Sequence, residues 1–104
     1  MKAIVALTTV PDIKTASKIS KFLISKKLAA CVTSIDKVSS CYRWKGKVEN
    51  SREVLLLIKT TQARYSALEV ALKKHHPYDL PEILALSVPV GSKKYLKWVA
   101  GSVA

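Results

Sequence analysis

Residues 45–58, KGKVENSREVLLLI, decide the fold because they join a tight chain reversal to the longest apolar run in the sequence. The Lys45-Gly46-Lys47 segment suits a hairpin turn, and we expect residues 30–44 and 48–59 to form a long β-hairpin around it. Side chains of the run 54–58 point to both faces of its strand. An uncovered face would expose more apolar surface than monomers usually do. The hairpin therefore predicts a sheet whose second face is covered by another subunit.

Further elements flank the hairpin on both sides. The continuously apolar start of residues 3–10 predicts a strand that is buried on both faces. Asp12 is placed to cap a helix that runs to about Lys27, and Thr60 or Thr61 to cap a second helix. That helix should end before Pro77, because proline interrupts helical hydrogen bonding. Its predicted apolar stripe consists of Tyr65, Leu68, Leu72 and His75.

The carboxyl-terminal quarter predicts a fourth strand at residues 82–88 and a short helix at residues 92–100. The resulting order, β-α-β-β-α-β plus a terminal helix, is the α+β ferredoxin-like arrangement. Right-handed connections would place both long helices on one face of a four-stranded antiparallel sheet. We expect residues 1–104 to form a single domain that is an obligate oligomer, because the other face and the hairpin edges need covering.

Composition limits the choice of partners. The 104 residues include 18 basic and 7 acidic side chains, for a formal net charge of +11. The lysines recur along the predicted helices, which is typical of solvated helix faces, although such a surface would also attract anionic partners. An RNA-recognition module shares this topology but needs aromatic residues on its central strands. Because residues 54–58 are aliphatic, nucleic acid is not the expected partner.

The chain also lacks signals for export, membrane insertion or common catalysis. No run approaches the roughly 18 apolar residues of a membrane span, and no cleavage site follows the first apolar segment. Cys31 and Cys41 would lie roughly 33 Å apart on one extended segment, too far for a disulfide. We therefore expect a cytoplasmic protein. We expect no enzyme, since no phosphate-binding loop, nucleophile elbow, CxxC or HExxH motif occurs.

Eight short segments lie in order along the chain: residues 9–12 (TVPD), 27–32 (KLAACV), 42–47 (YRWKGK), 53–55 (EVL), 58–60 (IKT), 76–78 (HPY), 81–83 (PEI) and 95–98 (YLKW). In this order and at these spacings they resemble the CutA, or divalent-cation tolerance, family. The resemblance implies a homotrimer assembled through the long hairpins, with an architecture similar to PII signalling proteins. It also implies a cytoplasmic location, a non-catalytic role in metal tolerance, and binding of copper and other divalent cations.

The copper site implied by this resemblance uses a histidine pair and a cysteine. The pair is His75 and His76, whereas Thr8 occupies the cysteine position, and its hydroxyl is a poor substitute for a soft thiolate. Adjacent helical residues project about 100° apart, so both imidazoles reach one ion only if the helix has unwound by His76. Cu²⁺ is the favoured ion and other divalent cations bind weakly, none of them obligatory. Alternatively, His75 completes the apolar stripe and His76 bonds a backbone carbonyl.

A second group of residues combines aromatic and charged side chains from the hairpin, the corner at residues 75–82 and the last helix. One interpretation is packing between subunits. The other is an intersubunit pocket in which Lys59 binds an anion, Glu53 or Glu82 orients it, and an aromatic ring stacks on it. The predicted ligand-binding residues are Trp44, Glu53, Lys59, Tyr78, Glu82, Tyr95 and Trp98.

Overall fold

The computed structural model describes residues 2–104 and confirms the order of elements. Four strands, three α-helices and one short 3₁₀ turn follow one another along the chain. They are β1 (Ala3–Val10), α1 (Ile13–Ser25), β2 (Cys31–Trp44), β3 (Lys47–Thr61), the 3₁₀ turn (Gln62–Arg64), α2 (Tyr65–His75), β4 (Leu84–Ser87) and α3 (Lys93–Ser102).

The strands form one antiparallel sheet in the order β2-β3-β1-β4. The central pair is in register from Ala3 opposite Thr61 to Val10 opposite Val54. This order and direction are those of the predicted α+β ferredoxin-like sheet with a long hairpin and a carboxyl-terminal helix, so the predicted fold class is confirmed.

The core lies between α1, α2 and one face of the sheet. Alternate residues of β1 and β3 are buried there, as the two-residue period of a strand requires. The sequence predicts that β1 is buried on both faces. In a single chain, alternate residues of β1 are buried and the residues between them are only half-buried, so burial is complete on one face. The buried apolar cluster comprises Ala6, Val10, Ala16, Ile19, Leu23, Leu28, Ala29, Val54, Leu56, Ile58, Leu68 and Leu72.

The second face of the sheet carries another set of apolar side chains. Helix α3 packs on β1 and β3, and its Val99 is buried. Elsewhere on this face, Leu84 and Leu86 remain 55% and 56% exposed. We call this apolar surface the open sheet face; it consists of Val5, Leu7, Ile35, Leu55, Leu57, Leu84 and Leu86.

The hairpin of β2 and β3 extends beyond the four-stranded part of the sheet. Residues 38–44 pair with residues 47–53, past the point where β1 ends. The two-residue turn has positive φ at Lys45 (50°) and Gly46 (79°), the signature of a type I′ turn. A bulge at Asp36 and Lys37 interrupts the register between the two parts of the hairpin. The far part is thus a two-stranded ribbon with unpaired edges.

Several predicted boundaries need correction. Asp12 caps α1 as predicted, since its Oδ1 accepts the Thr15 N–H at 2.8 Å, but the helix ends at Ser25, with Lys27 in a left-handed conformation. Capping of the second helix by Thr60 or Thr61 is wrong: Thr61 forms no capping side-chain bond, and Thr60 is buried in the sheet. Strand β4 spans only the four residues that pair with β1, and α3 runs two residues further than predicted.

The turn provides a test of the hairpin geometry. Replacing Gly46 by alanine should lower the free energy of unfolding by about 1 kcal/mol, because an L-residue is disfavoured at positive φ. Gly101→Ala in α3 is the matched control and should raise that free energy by about 0.5–1 kcal/mol through helix propensity. A Cβ atom meets nothing within 4 Å at either position, so neither substitution changes stability through a steric clash. Chemical denaturation measures both; equal effects would contradict the assigned turn.

Candidate functional site

His76 is held at the corner by both nitrogens of its ring. Helix α2 ends at His75, and His76 has an extended backbone, with ψ at 135°. Its Nε2–H donates to the Thr9 carbonyl at 2.9 Å, while its Nδ1 accepts the Tyr78 N–H at 3.1 Å. Because one partner only accepts and the other only donates, these bonds fix the neutral tautomer. The residue is 8% exposed, so His76 ties the corner to the end of β1.

The imidazole of His75 has a different environment. The residue is exposed, and its ring lies over that of Phe22 with the centroids 4.3 Å apart. It forms no side-chain hydrogen bond with any residue between 2 and 104. The helix has unwound by His76, as a shared metal site would require, yet only His75 presents a ring nitrogen without a protein partner.

The remaining predicted copper position lies inside the core. Thr8 is fully buried on the helix-facing side of β1, and its Oγ1 has no hydrogen-bond partner among residues 2–104. Over the same part of the chain, no three His, Cys, Asp or Glu side chains are grouped closely enough to hold a metal ion. Of the three predicted copper positions, His75 is therefore the one with an accessible ring nitrogen.

A second interaction ties the corner to the hairpin. The Tyr78 hydroxyl donates to Oε2 of Glu53 at 2.7 Å, and the Tyr78 ring lies 4.8 Å from that of His76. Burial, reinforced by the hydrogen bond to Glu53, raises the pKa of Tyr78 well above its usual range. Tyr78 therefore remains a protonated donor at physiological pH, and Glu53 is held as its acceptor.

A half-open cleft of about 880 Å³ lies between the hairpin and the corner, and we call it the corner cavity. It brings together four of the seven predicted ligand-binding residues: Trp44, Glu53, Tyr78 and Glu82. Sequence reasoning missed Arg43 and Asp79 as lining residues. Their positions beside Trp44 and Tyr78 in the chain were the available signal.

The other three predicted residues lie elsewhere in the subunit. Lys59 donates to the Thr33 hydroxyl and to the Cys31 sulfur, the latter at 3.7 Å. Tyr95 also approaches Cys31; burial and this neighbour raise the pKa of its phenol. The rings of Tyr95 and Trp98 are 5.7 Å apart. Within one subunit Lys59 therefore does not share the corner cavity with Glu53.

Acid should destabilise the protein through His76. Burial lowers the pKa of this imidazole below 6.5, outweighing the Thr9 carbonyl and Glu53, which raise it. Protonation would also set an Nδ1–H against the Tyr78 N–H. Below pH 6.5 the unfolded chain then binds more protons, so stability falls until the lowered pKa is reached, by up to about 1.4 kcal/mol per pH unit.

Denaturation at fixed subunit concentration between pH 7.5 and 5 measures this slope. His76→Gln should flatten it in the window below pH 6.5, whereas the exposed control His75→Gln should keep the slope of the unaltered protein. A slope that survives in His76→Gln would contradict the assignment.

Comparison with known proteins agrees with this architecture. The family model for the CutA1 divalent ion tolerance protein matches residues 4–102. The divalent-cation tolerance protein CutA of Citrobacter koseri is 42% identical over 102 residues, which cover 98% of this chain and 89% of that protein. The crystal structure of CutA from Xylella fastidiosa superposes with a TM-score of 0.97 at 39% identity, over the whole of both chains.

The name of a third relative states a compartment. The periplasmic divalent cation tolerance protein CutA of Archaeoglobus fulgidus superposes with a TM-score of 0.95 at 31% identity, covering 98% of this chain and 99% of that one. In the present protein, no helix within residues 2–104 has the length and apolar character needed to cross a bilayer. The family model and these relatives together establish that the chain belongs to the CutA1 family of divalent ion tolerance proteins.

Proposed function

We propose that this protein is a cytoplasmic, non-catalytic homotrimer that binds divalent cations, copper foremost, and acts in metal tolerance. The observation that carries the proposal is the exposed imidazole of His75, whose ring nitrogens have no hydrogen-bond partner in the described chain. Imidazole sites favour Cu²⁺ over Zn²⁺ and Ni²⁺ by the general affinity order. With one protein ligand per subunit the ion exchanges readily, and none is obligatory.

His76 can act as a second copper ligand only at a cost in hydrogen bonds. It can join His75 on one ion only by giving up its bonds to the Thr9 carbonyl and the Tyr78 amide. Leaving those buried groups unpaired costs about 1–3 kcal/mol each. Metal is therefore held mainly by His75, and His76 maintains the corner.

Two further features support a non-catalytic, cytoplasmic role. The side-chain partners of the Cys31 sulfur are Lys59 and Thr33 rather than an imidazole, so this thiol has no neighbouring base of the kind a Cys-His hydrolase uses. Cys31 and Cys41 are both free thiols, which suits a reducing compartment.

Trimerisation is supported by the open sheet face and by the overhanging ribbon of the hairpin. The open sheet face is an apolar area that other subunits would cover. A two-stranded ribbon is marginal in water on its own and has free edges that pair with another chain. Both features are relieved by the same event, the meeting of three sheets. The proposed partner is therefore this chain itself, and neither a membrane nor a nucleic acid.

Copper binding can be assigned to one imidazole by calorimetry. We expect one saturable Cu²⁺ site per subunit, weaker binding of Zn²⁺ and Ni²⁺, and loss of the copper site in His75→Ala. His76→Gln is the matched control; its amide can keep a donor and an acceptor at the corner, so copper binding should persist. Loss of binding in both variants would show that the histidines act as a pair, and retention in both would refute the assignment.

The assembly can be tested with two substitutions of similar exposure and equal charge. Leu86 lies on the open sheet face and is 56% exposed, whereas Val70 lies on the outer side of α2 and is 68% exposed. Leu86→Asp should reduce the mass measured by light scattering from three chains to one, or prevent folding, because a carboxylate would be buried in the interface. Val70→Asp should leave three chains. Trimers in both variants would place the interface elsewhere.

A small ligand in the corner cavity is a second candidate function. Four predicted ligand-binding residues meet there, and a cavity of about 880 Å³ lies within the size range of ligand pockets. The expected anion site at Lys59 would join it only if a neighbouring subunit contributed that lysine.

A further inference from the structure

The corner cavity reverses the charge balance of the protein. Three of the seven acidic residues of the chain line it, namely Glu53, Asp79 and Glu82. Of the 18 basic residues, Arg43 is the one among the described lining residues. The lining therefore carries two more carboxylates than cations, in a chain with a formal net charge of +11. The cavity attracts cations on a surface that mostly attracts anions.

Glu53 is the best-defined acceptor in the cavity. It is 7% exposed, and its Oε2 accepts the Tyr78 hydroxyl. Its second oxygen, Oε1, forms no hydrogen bond with any residue from 2 to 104. Oε1 is not fully enclosed by protein atoms, and Glu53 lines the cavity. A carboxylate this buried gains from a hydrogen-bonding cation at its free oxygen.

The walls of the cavity are aromatic. Tyr42, Trp44 and Tyr78 line it beside the carboxylates, and the faces of such rings attract cations. The Trp44 ring already has the Lys45 ammonium 6.0 Å from its centroid, at the outer limit of that interaction. Carboxylates combined with π-faces are the elements that recognise organic ammonium groups.

Size and spacing favour an organic cation over a metal ion. A bare ion needs several ligands within about 2.6 Å, and the lining carboxylates do not form such a group within residues 2–104. The cavity is also far larger than an ion. A molecule with an apolar body and one or more amino groups would reach separated carboxylates and contact the rings at once.

We infer that the corner cavity binds a small organic cation, an amine or a quaternary ammonium compound. The inference rests on the proposed small-ligand function of this cavity and specifies its ligand class. It replaces the anion expected from Lys59, which lies at the other end of the strand. Copper binding at His75 is separate, so either activity can be lost without the other.

The test uses the assembled protein with Trp98→Phe, which leaves Trp44 as the one tryptophan. Spermidine and choline are the cationic probes, and adenosine monophosphate is the anionic aromatic control. We expect saturable changes in Trp44 fluorescence with a cation, confirmed by calorimetry on the unaltered protein, and no saturable response to the nucleotide. Light scattering verifies the mass throughout.

Substitutions locate the site. Glu82→Gln and Asp79→Asn change exposed residues, so the fold should survive, and each should weaken cation binding roughly threefold. Trp44→Leu, followed by calorimetry, should weaken it roughly fivefold. Glu69→Gln is the control, because it removes a carboxylate of α2 that does not line the cavity; it should leave binding unchanged.

The possible outcomes distinguish failure of the organic-cation inference from failure of the small-ligand function on which it rests. Tighter binding of the nucleotide than of either cation would overturn the inference while a small-ligand function stood. Saturable cation binding that is insensitive to Glu82→Gln, Asp79→Asn and Trp44→Leu would also overturn it, because the site would lie elsewhere. No binding of any probe to a protein of intact mass would refute both the inference and the small-ligand function.

Discussion

The sheet has two apolar faces, and α1 and α2 cover only one of them. Successive side chains of a strand point to opposite faces of the sheet, so the aliphatic run at residues 54–58 supplies apolar side chains to both faces. Val54, Leu56 and Ile58 are buried beneath the helices, whereas Leu55 and Leu57 belong to the open sheet face. The short helix α3 covers part of that face. The need to cover the rest links the length of the hairpin to the proposed assembly.

The corner after α2 is rigid because two side chains hold it from different strands. His76 bonds the end of β1 through the Thr9 carbonyl, and Tyr78 bonds β3 through Glu53. Because both ring nitrogens of His76 are hydrogen-bonded within the protein, its main role is to hold the corner rather than to bind a ligand. The same bonds fix the wall of the corner cavity that the corner supplies, so this wall needs little ordering on binding.

The apolar periodicity and the capping, turn and proline residues predicted most of the fold. Which side chains of a long strand lie close enough to share a pocket was harder to judge from the sequence. Asp12, Gly46 and Pro77 mark boundaries by local chemistry, and the structure places them there. Thr60 failed as a helix cap because pairing with β1 overrode its local preference. Lys59 and Glu53 lie on one strand six residues apart, and thus roughly 20 Å apart. At that separation the two side chains do not line one pocket within a subunit. Trp44 and Tyr78 do line one cavity, but their proximity depends on the path of the loop after α2, which the local sequence does not specify.

The acidic corner cavity also has to act against the field of the whole protein. A formal charge of +11 repels a cation at long range, but at physiological ionic strength interactions between exposed charges are screened beyond about 8 Å. The exposed helical lysines that lie beyond this distance then contribute little at the cavity. The carboxylates that line it act at contact, where screening is weak. Raising the salt from a low concentration weakens the distant repulsion before it weakens the contact attraction, so a cationic ligand is disfavoured most in dilute buffer. This dependence is opposite to that of an anion bound by the surface lysines, whose attraction falls steadily as salt is added.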